Sequence, residues 1–230
     1  MAFSEFLESR RARAKALVAA LKEQFEYVSV LGVDTRSKHI MVNANSSGIL
    51  NGDDTECGFV VKINNGGCFF EYSMDDVGAD IPAAAAQVKE SFTVSKLLRE
   101  GSIDRIVLKD EPLVQSFARP TDLASYSDKD VLSFVQKMQK ELQAKSEHIL
   151  NAMIRVSTLE VSKLFVSANR ELDQNYTWIN GFMGLAYREN DKTVQVFGFC
   201  DSANMADVMA ELPGKMDDLV DRAHHLTLAK

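Results

Sequence analysis

Apolar residues near the start of the chain recur at three- and four-residue steps, and the spacing then changes to alternation. The alternation predicts strands over Val28–Val33 and His39–Ala44, with Asp34–Ser37 as the turn between them. The run Asn45–Asp54 is rich in Asn, Ser, Gly and Asp, which is typical of a loop. The three- and four-residue spacing that precedes these strands predicts a helix with one apolar face, formed by Phe6, Leu7, Ala14, Leu17, Val18, Leu21 and Phe25.

A hairpin is predicted where two β-type runs, Cys57–Ile63 and Cys68–Ser73, flank the sequence Asn-Asn-Gly-Gly. Asn-Gly between such runs is a strong hairpin signal, because both residues tolerate a positive φ. A two-residue turn at Asn65-Gly66 would pair the last residue of the first run with the first residue of the second.

A helix and an irregular segment follow the hairpin. Asp80 is suited to cap the helix, which is expected to end near Gly101. Residues 102–126 lack periodicity and contain two prolines, so we interpret them as a linker. Within this linker, Ile103–Leu108 fits either a short strand or an extended packing segment.

Two further helical segments are predicted in the second half. Ser127 and Asp130 resemble a capping box, with Asp in place of the usual Glu, and so mark the start of the first. The second closes the sequence, and Asp201 or Ser202 is suited to cap it. Pro213-Gly214 is expected to divide it into two.

Between these helical segments the residues follow a strand pattern. One long apolar run contains Gly181 and Gly184, where we expect a bend, and Asn190-Asp191 forms the turn after it. Four strands are predicted, at about Ala152–Leu159, Val161–Ala168, Tyr176–Arg188 and Thr193–Cys200.

The order of elements is the same in both halves: helix, four strands, helix. Residues 58–76 also align without a gap to residues 184–202. The sequence therefore predicts the α+β fold class, with two topologically similar α-β-β-β-β-α units whose antiparallel sheets are covered by helices on one face. The units are residues 1–101 and 127–230, joined by the linker 102–126. Either the two sheets join into one or they lie side by side.

Composition narrows the possible functions. The net charge of −7 and the pI of about 5.2 argue against a nucleic-acid partner, which needs a concentrated positive surface. No apolar run approaches the length of a membrane span, and the charged first segment is not a secretory signal. The three cysteines, Cys57, Cys68 and Cys200, do not suggest a disulfide framework. We expect a reduced, cytoplasmic protein without a membrane partner.

No catalytic constellation is visible in the sequence. None of the four histidines has metal-ligand spacing, and there is no nucleophile elbow, P-loop or dinucleotide-binding motif. Cys200 lies among phenylalanines in a predicted strand and is interpreted as a core residue. Tyr176 and Trp178 fit either a binding face or the more frequent packing in a sheet. The sequence thus predicts no catalytic, cofactor-binding or metal-binding residue in this chain.

Several segments share a pattern with one known family. EYVSV and NANSSGIL are followed by CGFVVKINNGGCFFEYSMDD, and IRVSTLEVSKLFVSAN comes in the second half. Together these segments resemble the N-terminal domain of the TldD/PmbA proteins, also called modulators of DNA gyrase. Gly58–Ile63 matches the G-x-x-V-R-V pattern of that family, with Lys62 where arginine is usual. The resemblance covers nearly the whole chain.

The resemblance implies a two-part protein, in which an α/β N-terminal part precedes a mainly β C-terminal part. In TldD-like members the second part resembles a zinc metallopeptidase site built on H-E-x-x-x-H with a later cysteine, and PmbA-like members lack these ligands. The resemblance also implies a homo- or heterodimer that encloses a chamber for unfolded peptides. No residue of this chain matches the zinc motif, so zinc and proteolysis are expected only in a C-terminal part or a partner subunit.

Two functional hypotheses follow, and a third, an unrelated enzyme with a non-motif site, has no feature of the sequence to favour it. In the first, the chain is a non-catalytic N-terminal scaffold and substrate-access domain of a TldD/PmbA-like peptidase system. In the second, it is a stand-alone peptide- or protein-binding module that kept the fold without the peptidase part and offers a sheet face or edge to its ligand. A coding sequence that continues past Lys230 with H-E-x-x-x-H would make the chain the front half of an active subunit. A continuation without that motif would make it part of the inactive partner.

Overall fold

One eight-stranded sheet runs through both halves of the chain. A computed structural model describes residues 2–66, 68–97, 108 and 110–229 of the protein. The strands are β1 (Tyr27–Val42), β2 (Ser47–Asn51), β3 (Cys57–Asn65), β4 (Cys68–Met74), β5 (Leu113–Ala118), β6 (Ile149–Ser167), β7 (Arg170–Glu189) and β8 (Lys192–Ser202). Their order is β4-β3-β1-β6-β7-β5, with β2 also pairing with β1 and β8 with β7. All pairs are antiparallel except β5 with β7.

The α-helices of the described residues pack against one face of this sheet, which confirms the predicted α+β class. None of them is long and apolar enough to cross a membrane. The predicted helix end near Gly101 and most of Ile103–Leu108 lie outside the described residues. The helices are α1 (Glu5–Lys22), α2 (Ile81–Leu97), α3 (Asp128–Gln143), α4 (Met205–Glu211) and α5 (Met216–Leu228), with 3-10 turns at Leu123–Ser125 and Leu212–Lys215.

Strands β1 and β6 join the two halves. They pair antiparallel from Ser29 opposite Ser167 to Val42 opposite Ile154, so the two predicted sheets are one. The predicted turn at Asp34–Ser37 is wrong, because β1 is bonded to β6 through this whole stretch and continues as a strand. The loop predicted at Asn45–Asp54 likewise contains a strand, β2.

The second half has three strands rather than the predicted four. The runs Ala152–Leu159 and Val161–Ala168 belong to one strand, β6, which pairs with β7 along nearly its whole length. The predicted repetition of element order is therefore not confirmed. The predicted turn at Asn190-Asp191 is confirmed, and both residues have a positive φ, 51° and 59°.

The predicted hairpin between β3 and β4 forms in a different register. Asn65 pairs with Cys68, so the turn follows Asn65 and contains Gly66, which has a φ of +58°. Glycine adopts this left-handed conformation without the steric cost that a side chain would bring. As a result Phe70, instead of Cys68, lies opposite Ile63, and its ring packs edge-on against Phe92 of α2 at 5.7 Å.

Two separate hydrophobic cores lie between the sheet and the helices. One lies under α1 and α2 and includes Leu17, Val30 and Phe59. The other lies under α3, α4 and α5 and includes Val135 and Ile179. Each helix contributes a fully buried apolar stripe, and burial of such side chains stabilises the fold by roughly 1.5–3 kcal/mol apiece.

A polar strip separates these cores on the helix-covered face. Asp34 pairs with Ser162 across β1 and β6, and Arg36 pairs with Glu160 in the next row on this face. Asp34 is 9% exposed and Ser162 is 5% exposed, although both are polar. The residues that resemble a turn in sequence thus form the boundary between two helical layers.

Helix starts are held by side chains, partly as predicted. Asp80 accepts a hydrogen bond from the Ala83 amide at 3.0 Å, and Ser127 and Asp130 form the predicted capping box of α3. The expected cap of the C-terminal segment by Asp201 or Ser202 is wrong. The Asp122 carboxylate, which lies just before the 3-10 turn Leu123–Ser125, accepts hydrogen bonds from the first two backbone amides of α4 instead.

Candidate functional site

The face of the sheet opposite the helices is the main candidate surface. No helix of the described residues covers it, yet large aromatic side chains lie exposed on it among polar ones. Trp178 is 47% exposed, Phe197 is 50% exposed and Phe199 is 62% exposed. Exposed apolar side chains that lie next to one another mark interaction sites, whereas scattered ones do not. We call this surface the helix-free face.

A tryptophan cluster occupies the helix-free face where β5, β6 and β7 lie side by side. Phe117, Arg119, Tyr176 and Trp178, together with Gln174, line an open cavity of about 480 Å³. The parallel pairing of β5 with β7 brings Phe117 opposite Gln174. Residues from strands that are far apart in sequence therefore form one concave surface.

A phenylalanine cluster lies farther along the same face. Phe182 of β7 pairs with Phe199 of β8, and its ring lies 5.7 Å from that of Phe197. Gly184 lies beside this contact, where a Cβ would lie 3.1 Å from the Phe197 ring and 3.2 Å from the Phe182 ring. Phe182 and Trp178 are four residues apart on β7, a separation of about 13 Å along the strand.

Cationic side chains lie on the aromatic rings of this face. Arg119 stacks on Trp178, with 4.9 Å between its guanidinium carbon and the ring centre, and Arg155 stacks on Phe182 at 5.0 Å. Lys163 Nζ lies 5.9 Å from the Tyr176 ring centre. Such cation–π pairs are worth about 0.5–1 kcal/mol at exposed sites. They also fix positive charge beside apolar surface.

A second cavity lies in the polar strip on the helix-covered face. Its volume is about 400 Å³, and Ser4, Asp34, Arg36, Glu160 and Ser162 are among its lining residues. Ser4 Oγ donates to Asp34 at 2.5 Å and accepts the Leu7 amide at 3.2 Å as the N-cap of α1. The buried carboxylate therefore holds the serine that caps the start of α1.

Cys57 and Cys200 are not activated nucleophiles. Burial raises the pKa of Cys200 and that of Cys57. The nearby Asp34 carboxylate raises the pKa of Cys57 further. A thiol needs a lowered pKa to react as thiolate at neutral pH. Cys200 is 5% exposed in the core under α5, which confirms its interpretation as a core residue.

The histidines lie apart from any metal-binding group in the described part of the chain, where no three His, Cys, Asp or Glu side chains could hold a metal ion. His224 and His148 both approach Glu189, at 2.6 Å and 3.7 Å. The Glu189 carboxylate also accepts a hydrogen bond from Tyr187. The direct contact of His224 with the carboxylate leaves no position for a zinc ion between them. The described residues do not fit the zinc site that the resemblance implies for a second part.

Part of the helix-free face is predictable from the sequence. Tyr176 and Trp178 are compatible with a binding face in the sequence, and the structure places both there beside Arg119 and Lys163. Phe117 and Arg119 come from the predicted linker, where no sequence pattern marks them. The available signal was in β8, where Phe197 and Phe199 alternate with buried residues and so make both faces of the strand apolar.

Solved structures with the same fold include proteins described as modulators of DNA gyrase. One from Bacteroides thetaiotaomicron aligns with a TM-score of 0.76 and 13% identity over 94% of this chain and 49% of its own length. One from Thermotoga maritima gives 0.66 and 11% over 93% and 47%. TldE from Thermococcus kodakarensis gives 0.64 and 13% over 92% and 46%.

These similarities confirm the fold that the sequence resemblance implies. The chain spans about half the length of the solved structures it matches. No protein-family model and no curated protein matches the chain. At 11–13% identity, the likeness establishes the fold and does not carry an activity with it.

Proposed function

We propose that this chain is a TldD/PmbA-type protein part that binds polypeptide and performs no catalysis itself. Its role is a scaffold and substrate-access domain beside a TldD/PmbA-like peptidase part or partner subunit, in the cytoplasm. The fold shared with TldE and the modulators of DNA gyrase supports the family.

The helix-free face is the observation that carries the proposal. A sheet packed on one side by helices and left open on the other exposes apolar area to water, which is unfavourable unless a ligand or partner covers it. Trp178, Phe197 and Phe199 give this face aromatic anchors of the kind that dominate binding energy at protein interfaces.

A stand-alone peptide-binding module is the second candidate, and strand β8 favours it. Strand β8 pairs only with β7 in the described part of the chain, so its other edge is open to an added strand. The Arg222 guanidinium donates to the Phe197 carbonyl at 3.1 Å. An incoming strand would replace this side-chain contact with a backbone hydrogen bond.

Binding of an unfolded polypeptide tests both candidates. The probe is fluorescently labelled, reduced and carboxymethylated α-lactalbumin, and the measurement is fluorescence anisotropy against the full chain. Trp178→Ala with Phe199→Ser is expected to weaken binding by on the order of tenfold or more, because anchors at an interface often contribute more than 1 kcal/mol each.

Leu226→Ser is the matched control, because Leu226 is also an exposed apolar residue, 48% exposed, but lies on α5. This variant is expected to bind like the unmodified chain. Equal binding by all variants, or no binding by the unmodified chain, would contradict the proposal. Addition of a TldD-like subunit then separates the candidates, since only a subunit-associated domain forms a complex with it.

A further inference from the structure

We infer that the helix-free face selects acidic polypeptide segments, with carboxylates paired to Arg119 and Lys163 and apolar side chains placed on the tryptophan cluster. The inference rests on the proposed function and adds the charge of the ligand. It is based on the charge of this face, which is positive, whereas the net charge of the protein as a whole is negative.

Unpaired positive charge lies on this face. Arg119, Arg155 and Lys163 lie on aromatic rings there. The carboxylates on or beside the face have other partners: Asp201 accepts a hydrogen bond from Asn180 at 2.9 Å, Glu71 pairs with Lys62 at 2.8 Å, and Asp110 accepts a hydrogen bond from Ser167. The three cations therefore present positive charge on a chain whose net charge is −7.

The cations remain available to a ligand. No carboxylate of the described residues forms an ion pair with Arg119, Arg155 or Lys163, whereas Arg11 of α1 contacts Glu8, Glu171 and Asp173. A ring beneath a guanidinium or ammonium group leaves its N–H groups free to donate to carboxylates.

Polypeptide is favoured over nucleic acid by the amount and spacing of charge. A nucleic-acid strand presents a phosphate at every nucleotide, and its affinity depends on many neutralising cations. The helix-free face offers only a few cations, and apolar rings separate them. The tryptophan and phenylalanine clusters lie about 13 Å apart along β7, a distance that four or five extended residues span.

The only tryptophan of the chain reports directly on occupancy, because Trp178 lies in the cluster. The experiment titrates the full chain with three short peptides of one design, in which leucine alternates with glutamate, glutamine or lysine, and follows Trp178 fluorescence at low salt. The glutamate peptide is expected to bind on the order of tenfold more tightly than the glutamine peptide, and added salt should reduce the difference. The lysine peptide should bind most weakly.

Charge-removing variants identify the cations responsible. Arg119→Gln with Lys163→Gln is expected to abolish the preference for glutamate, so that the glutamate and glutamine peptides bind the variant with equal affinity. Lys137→Gln is the matched control, because Lys137 is a 74% exposed cation of α3. It should keep the full preference.

The outcomes are separable. Equal affinity for the glutamate and glutamine peptides would overturn the inference and leave the proposed function intact, whereas no binding of any peptide or of the unfolded protein would overturn the proposed function. Tighter binding of single-stranded oligothymidine than of the glutamate peptide would identify a nucleic-acid surface and overturn the inference. Self-association that Arg119→Gln abolishes, measured by sedimentation, would assign the face to a second copy and overturn it as well.

Discussion

The guanidinium carbon of Arg119 lies 4.9 Å from the ring centre of Trp178, on the face of the sheet that the described helices leave open. Arg119 follows β5, whereas Trp178 lies within β7, and the parallel pairing of the two strands brings them together. A positive charge next to the only tryptophan has a direct spectroscopic consequence.

Fluorescence quenchers of opposite charge should reveal the positive charge beside Trp178. We expect iodide to quench its fluorescence more strongly than caesium, although the net charge of −7 would favour the opposite order. Arg119→Gln should reduce the ratio of the two quenching constants, and Lys137→Gln should leave it unchanged. Stronger quenching by caesium in the unmodified chain would contradict the position of Arg119.

Adjacent residues of β7 should differ sharply in their effect on stability. Trp178 is 47% exposed and its neighbour Ile179 is fully buried, because alternation directs them to opposite faces. We expect Ile179→Ala to lower the free energy of unfolding by about 2–5 kcal/mol. Trp178→Ala should cost less than about 1 kcal/mol. Urea unfolding followed by circular dichroism measures both, and a larger loss from Trp178→Ala would show that this face is a core.

The Asp122 carboxylate should stabilise α4 as a cap from outside the helix. Its two oxygens accept the amides of Met205 and Ala206 at 2.5 Å and 2.9 Å. Asp122→Ala is expected to lower the free energy of unfolding by about 1 kcal/mol. Asp122→Asn keeps one acceptor oxygen and should lose less. Identical losses from the two variants in urea unfolding would argue against capping.

The ion pairs between α1 and β7 predict a dependence of stability on pH. The hydrogen bond from Lys15, with a further one from Arg11, lowers the pKa of Glu171 below its usual value against the opposing effect of burial. Because the folded pKa lies below the unfolded one, the carboxylate stabilises the protein at neutral pH, and this contribution is lost as the pH falls through the folded pKa.

Glu171→Gln should therefore lower the free energy of unfolding at neutral pH, and the deficit should shrink as the pH falls below about 4. Urea unfolding at several pH values measures the deficit. Glu141→Gln is the control, because Glu141 forms an exposed ion pair with Lys137 at 3.8 Å, which contributes little to the free energy of unfolding. A deficit from Glu171→Gln that grows on acidification would contradict the sign.

Local signals predicted the helices well and the strands only in part. The apolar spacing of α1 is one such signal, and the capping box at Ser127 is another. Each is formed by residues that are close together in the sequence, so the sequence alone identifies it. The continuity of β1 through Asp34–Ser37 depends on pairing with β6, more than a hundred residues away. The polar residues of this stretch resemble a turn in the sequence. The structure shows that they instead separate the two hydrophobic cores.

The candidate surface shows the same limit. Tyr176 and Trp178 are visible in the sequence as aromatics in a strand, but their exposure depends on which face the helices cover. Phe117 and Arg119 lie in a segment without periodicity and join the cluster only through the register of β5 with β7. Residue type was therefore predictable, whereas the convergence of four strands on one face was not.

Hydroxyl-radical footprinting of the full chain with and without bound unfolded α-lactalbumin tests the central claim most directly, because it reports side-chain exposure residue by residue. We expect polypeptide to protect Trp178, Phe197 and Phe199 from oxidation and to leave Leu226 and Leu228 on α5 unprotected. Protection of the α5 leucines with unchanged oxidation of the three aromatic residues would show that polypeptide binds elsewhere.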